Sequence, residues 1–547
     1  MSGRLAKIIA LCEEELGDAG ASAPAPSKLS APERDLVVAA HRREWASLPD
    51  KATVRAAVVR SLCVHADLLG GGQGGVLKIR GGTVSGPLDL AGLRLDLGLR
   101  LHRTQFDQEL QLKDTRLLSI ELHGGSATGI SADRVEIAHD MVLSGGFMCT
   151  GPLWLRSANI GGDLNLMGAS FIAPPNQPSI QFDGTHIGRR FFAGQDEEFH
   201  ANHGVYGRNA RIGGGLLCRN ARFDRELNLT RAEIQGIARL QDAVVGGAMR
   251  DEPDRKSTAL HLDGLIVTGD LDLRGTRVGA NRVLLRRVRV GGRLAWSLRP
   301  IPERGGPPLT VDLKQARVRM LDDQDLSSWD GVQVALDGFD FDAVAIPRTT
   351  EWSDRRLKLP SLVSQPEWLW RRLEWLDQQP EGRWSPHPYD QLRRALLNSG
   401  EESAARETAI RRERVRRDRG GIGWLGRKAN AIYGLLLGYG YKPARFFVVA
   451  ALVVVAFFLL YQQGLTPCDP STTQASCGDF ALPEAGAPPF RAPMFSFDAF
   501  VPVDLNQTSV WIPTDDLYSY LVTLETALGW LLTGLLLGAV TGILRRD

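Results

Sequence analysis

From Leu88 onward, apolar positions recur every eleven residues in the form L-x-L-x-x-a-x-φ. Leu88, Leu90, Leu93 and Leu95 are followed by Leu99, Leu101, Thr104 and Phe106, then by Leu110, Leu112, Thr115 and Leu117. The template returns at Leu153, Leu155, Ala158 and Ile160, at Leu216, Cys218, Ala221 and Phe223, and at Leu260, Leu262, Leu265 and Val267, fading near Ile346. Within L-x-L the period is two, so both leucines point to one face of a short strand. The following offset of three, and glycine pairs such as Gly161-Gly162 and Gly291-Gly292, mark corners. One unit cannot bury its own face, so the units are expected to stack. The predicted fold is mainly β, a right-handed β-solenoid of eleven-residue repeats over residues 76–346. If two units make one turn, it has about twelve turns at about 4.8 Å each.

Solenoid ends expose strand edges and need covers. Residues 1–70 are read as an N-terminal helical cap, with helices over 31–47 and 52–66 that bury Leu36, Val37, Val58 and Leu62. Residues 362–440 are read as a helical, arginine-rich neck. Two apolar blocks then reach the roughly twenty residues a bilayer core requires. They predict transmembrane helices over 443–465 and 517–544, with 466–516 as the loop between them.

The basic residues Arg411, Arg412, Arg414, Arg416, Arg417, Arg419, Arg427 and Lys428 precede the first span, and Arg545-Arg546 follows the second. The positive-inside rule places both groups, and hence both termini, in the cytoplasm, with 466–516 external. Contact with anionic lipid explains the neck charges more cheaply than nucleic acid does. The chain opens with no secretory signal pattern, since Arg4, Lys7, Glu13, Glu14 and Glu15 interrupt its apolar residues. Cys468 and Cys477, nine positions apart, fall on the oxidising side and are expected to form a disulfide, whereas Cys12, Cys63, Cys149 and Cys218 stay reduced.

Gly534, Gly538 and Gly542 recur every four residues in the second span and suit close helix packing, either with another copy or with the first span. Glu525 lies about two turns inside that span, where an ionisable group must face protein or water, which makes it a candidate pore or intramembrane site. Between the spans, Phe495, Phe497, Phe500 and Val501 are interspersed with Asp498, Asp504 and Asn506. They could form a short re-entrant or surface helix, and the order resembles span, pore loop, span, but without a T-V-G-Y-G filter a surface-lying loop is expected. In the solenoid, Arg282, Arg286, Arg287, Arg289 and Arg293 give one stretch a basic face, read as a solvated flank.

The 65 basic and 63 acidic residues leave a net charge of +2, which argues against a DNA-mimicking acidic surface. Gly421, Gly423 and Gly426 match G-x-G-x-x-G but follow an arginine-rich helix rather than a strand. No metalloprotease, nucleophile-elbow, Walker or zinc motif occurs. No catalytic, cofactor-binding or metal-ligating residue is therefore assigned, and no cofactor is called for.

Five segments together carry a resemblance: T-V-R-A-A-V-V-R-S-L at 53–62, G-D-L-D-L-R-G-T-R-V type units, Y-D-Q-L-R-R-A-L at 389–396, L-G-Y-G-Y-K-P at 437–443 and G-W-L-L-T-G-L at 529–535. The chain resembles a family of bacterial membrane-anchored proteins with pentapeptide-like β-solenoid repeats, over nearly its full length. The resemblance implies architecture and the bacterial inner membrane, not an activity. An oxidoreductase label carried by some members is checked by looking for flavin, haem or nicotinamide in the purified protein. The expected role is a non-enzymatic membrane scaffold or sensor whose solenoid offers a surface to a protein partner. The alternative is an oligomeric ion channel or membrane-perturbing effector built from the hairpin.

Overall fold

The computed structural model describes residues 3–18, 28–69, 75–247, 258–301, 309–323, 332–346, 366–379, 384–419, 423–440, 444–463, 476–477, 480–481 and 490–540. The chain divides into two compact units, 1–404 and 405–547.

The first unit is a parallel β-solenoid of about 11 turns. Its short strands stack in four columns. In one, Leu77 lies on Leu99 and Leu99 on Ile120. In another, Leu110 lies on Ile130 and Ile130 on Leu153. Leu99 and Leu110, equivalent in the eleven-residue reading, thus belong to different columns, and the structural repeat is the whole coil. A coil is 22 residues where Val205 pairs with Leu227, and lengthens where loops intervene, as between Leu227 and Leu260.

Each L-x-L strand ends in a tight turn with a left-handed residue. Ser157, Asn220, Arg231 and Asp242 have φ near +56°. The amide three positions after the second leucine closes the turn, as when Ala158 N–H donates to Leu155 O at 3.1 Å and Ala232 N–H to Leu229 O at 3.0 Å. A positive φ at the third turn residue is the type II geometry. The residue after it points into the core and is often small, as at the buried Ala158, Ala169, Ala210, Ala221, Ala232 and Ala243, although Val135, Leu265 and Phe339 are buried at the same place. Where threonine takes this place its hydroxyl is satisfied by the preceding coil, Thr115 Oγ1 to Leu90 O at 2.7 Å and Thr276 Oγ1 to Leu240 O at 2.8 Å. Each stacked Leu, Ile or Phe contributes about 1.5–3 kcal/mol by burial.

Outside the core, corner aspartates tie coil to coil. Asp183 accepts the backbone N–H of Arg208 at 2.7 Å and its guanidinium at 2.6 Å, and Asp163 does the same for Arg190 at 2.9 and 3.0 Å. Burial alone would push both carboxyls up, and the arginine bonds hold them below their ordinary values. The guanidiniums of Arg156, Arg190 and Arg208 also lie over Trp154, Phe192 and Tyr206. The basic stretch follows this scheme in part: Arg286 pairs with Asp263, and Arg293 with Asp322 at 3.2 Å.

At the N-terminal end, helices α1 (Gly3–Asp18), α2 (Ala31–Arg42) and α3 (Ala56–Val64) cover the first coil. The expected helices are shorter than the sequence suggested, because Ala46–Ser47 and Thr53–Arg55 are strands that pair with the first coil, Ala46 on Ile79 and Val54 on Val84. Glu33 of α2, buried, receives Arg55 Nε and Nη2 at 2.7 Å each and the Ser30 N–H at 2.7 Å. At the other end, α4 (Glu367–Asp377) and α5 (His387–Asn398) belong to the same unit, and α5 packs on the last strand, Asp340–Val344. Arg372 of α4 and Asp323 of the last complete coil form an ion pair at 2.5 Å with side chains 1% and 0% exposed. The region read as one neck is therefore split, since α7 (Trp424–Leu437) packs in the second unit against α8 (Ala444–Gln463). Helix α6 (Glu402–Arg419) carries the unit boundary in its first turn.

Candidate functional site

The second unit is built on α8 and α10 (Asp516–Val540), whose segments Arg445–Gln463 and Asp516–Gly538 are long and apolar enough to cross a membrane. Between them lies α9 (Ala492–Phe500). It is not surface-lying, because its apolar side meets both long helices. Phe495 is enclosed by Phe457, Tyr461, Phe480 and Trp511, with the Tyr461 ring edge-on at 5.3 Å. One helical turn beyond, Phe500 packs on Phe446 and Leu532. Helix α9, nine residues and about 13 Å long, therefore runs alongside α8, with Ser496 Oγ 2.9 Å from the Val454 carbonyl.

Glu525 of α10 is fully buried at the meeting point of the three helices. Tyr461 of α8 donates its hydroxyl to one carboxyl oxygen at 2.8 Å, and Ser496 of α9 lies 2.5 Å from the other. Ser496 Oγ is also 2.9 Å from the Val454 carbonyl, so its single proton has two acceptors within reach. What this constellation supports chemically is the hydrogen-bonded locking of α9 between two apolar helices. A second carboxylate shapes the chain beyond α9: Asp498 accepts the N–H groups of Leu505, Gln507 and Thr508 at 2.5, 2.9 and 2.7 Å, and the Thr508 hydroxyl at 3.0 Å.

Of the glycine series, Gly534 faces open space, with no atom of the described residues within 4 Å of a side-chain position. Gly538 is half-buried, and Gly542 lies outside the described residues. The glycine that the helices do require is Gly529, whose missing side chain makes room for the Phe500 carbonyl. It lies one turn from Glu525, and its place in G-W-L-L-T-G-L was visible without that role. Tyr461 and Ser496 had no signal of their own, because their partners are distant in sequence, whereas Asp498 stood out only by its place among the phenylalanines.

Arg411, Arg412, Arg414, Arg416, Arg417 and Arg419 lie on α6, where Arg416 meets Glu413 at 3.6 Å and Arg417 meets Asp418 at 3.1 Å. Arg427 and Lys428 are exposed on α7, beside exposed Trp424 and Leu425. Gly434 of α7 leaves room for the Tyr439 ring, which folds back after the left-handed Gly438. Cys477 stands in a short strand, Ser476–Cys477, antiparallel to Phe480–Ala481, whereas Cys468 lies outside the described residues. No disulfide and no cluster of metal-ligating side chains occurs among the described residues. On the solenoid, a groove of about 430 Å³ is lined by Asp242, Arg274, Trp296, Arg299 and Asp322. Its charges are largely matched, Arg274 with Asp272 and Asp322 with Arg293.

Set against family models, curated proteins and solved structures, the chain matches none. Its function is read from the geometry of the site itself.

Proposed function

We propose that the chain is a membrane-anchored scaffold or sensor, in which α8 and α10 cross the bilayer and the β-solenoid offers an extended surface to a protein partner. The observation that carries this reading is the exterior of the two helices: only 22% and 17% of their apolar windows are covered by the rest of the chain. Phe447, Val448, Leu452, Leu524, Trp530 and Leu537 are all exposed. Such surfaces are at home in lipid and costly in water.

The basic residues of α6 and α7 support a cytoplasmic position for this side of the hairpin, with 466–516 on the far side of a bacterial inner membrane and both termini inside. Exposed Trp424, Leu425, Ile432 and Leu435 beside Arg427 and Lys428 suit α7 to the headgroup layer. The stacked columns make the solenoid stiff, so it offers a partner a surface of fixed shape.

The test is carbonate extraction of membranes from cells producing the chain, with a periplasm-active reporter inserted after Ser471 and a cytoplasm-active reporter on the C-terminus. Resistance to carbonate with both reporters active supports the reading. Extraction into the soluble fraction, or inversion of the reporters, removes it.

A further inference from the structure

Residues 501–511 leave the buried end of α9 and return to its start without forming a helix or strand. The depth of this return is set by its ends. Phe500 packs on Phe446, whereas Trp511 is back beside Tyr461. Helix α9, which joins those levels, is nine residues long, about 13 Å of rise. If α8 and α10 span a membrane, as proposed above, this irregular segment lies inside the hydrocarbon layer. Backbone of that kind is tolerated there only when protein covers it or water lines it.

Asp498 satisfies the inward-facing amides of Leu505, Gln507 and Thr508. The outward side is exposed among the described residues: Val503 and Leu505 are 59% and 40% exposed, and Asp504, Asn506 and Ser509 are exposed beside them. Asp504 is held in place, accepting the Asn506 N–H at 2.8 Å and the Ser509 hydroxyl at 3.2 Å. A carboxylate presented to lipid at this depth is strongly unfavourable, because hydrocarbon offers it neither a counter-charge nor a hydrogen bond. A neighbouring copy with water between the two relieves both the carboxylate and the bare backbone. Gly534, open on the exposed side of α10, permits the close helix approach such a neighbour needs.

We propose that copies of this chain assemble in the membrane around a water-filled path lined by residues 501–511, and that the ring of Asp504 carboxylates makes it a path for cations. Each copy contributes one wall, so the path does not exist in the single chain. Glu525 then stands behind the wall, locking α9, rather than in the path.

The experiment uses the full chain with Cys468→Ser and Cys477→Ser, and introduces Val503→Cys or, as a second variant, Ser509→Cys. In membranes, oxidant is expected to cross-link the introduced thiol between copies. In potassium-loaded liposomes, a membrane-impermeant charged thiol reagent is expected to abolish potassium efflux. Leu452→Cys, on the exposed apolar face of α8, is expected to give no block. Carbonate-resistant protein in which neither variant cross-links overturns the assembly, and cross-linking without potassium flux overturns the path. Release of the protein by carbonate overturns the anchored reading instead, so the two failures are told apart.

Discussion

The backbone carbonyl of Phe500, at the end of α9, lies directly against Gly529 of α10, in space that any side chain at position 529 would occupy. One helical turn away, Glu525 binds Ser496 of α9. Packing and hydrogen bonding thus hold α9 from the same side of α10.

Gly529→Ala is expected to destabilise the hairpin by about 1–3 kcal/mol through overpacking. Gly534→Ala, where a side chain meets nothing among the described residues, is expected to leave monomer stability unchanged within about 0.5 kcal/mol. Thermal unfolding of the two variants in detergent, side by side, checks this. Equal effects would mean that α9 does not lie against α10.

Glu525→Gln keeps an acceptor for Tyr461 and is expected to be mild. Glu525→Leu strips the buried Tyr461 hydroxyl of its partner and is expected to cost about 1–3 kcal/mol. The difference between the two, read from the same unfolding assay, isolates the hydrogen bonds from the volume of the side chain.

Asp323→Ala leaves the Arg372 guanidinium buried without its carboxylate, and a loss of about 3–5 kcal/mol is expected. Replacing both residues together, Asp323→Leu with Arg372→Met, is expected to cost less than the single change. Denaturant unfolding followed by circular dichroism provides the comparison.

Glu33 gives the cap an acid sensitivity of defined sign. Burial alone would raise its pKa, but Arg55 and the Ser30 and Arg55 amides lower it from 4.5 to about 2. Between those values the unfolded chain binds the extra proton, so stability falls as pH falls from about 5 towards 2, by about 3 kcal/mol in all. Above that window the contribution is complete and constant. Glu33→Gln is expected to flatten this part of the profile of melting temperature against pH, starting from a lower melting temperature near neutrality.

Cys12, Cys63, Cys149 and Cys218 are buried. Burial pushes the thiols of Cys63 and Cys149 up to about 12, and that of Cys218 higher still. Alkylation at neutral pH is expected to leave these four unmodified in the folded protein and to modify them all in denaturant, as intact mass will show.

The side-chain pattern alone determined which residues face the core. Leu99, Leu101 and Phe106 point inward because alternation along a strand is a local property, and the offset of three before Thr104 or Ala158 marks the corner that turns the next side chain inward. The lengths and apolar character of α8 and α10 were legible for the same reason: a bilayer-spanning helix is defined by consecutive residues.

What stacks on what was decided only in three dimensions. Leu99 meets Ile120 while Leu110 meets Ile130, because column membership depends on where a coil closes and how many residues its loops insert. Ala46–Ser47 and Thr53–Arg55, helical by spacing, became strands because the first coil offers an open edge whose amides and carbonyls they satisfy. The position of α9 was beyond local reading altogether. Tyr461, Ser496 and Glu525 are separated by dozens of residues, and the burial that makes Glu525 bind the other two is created only when α8, α9 and α10 come together.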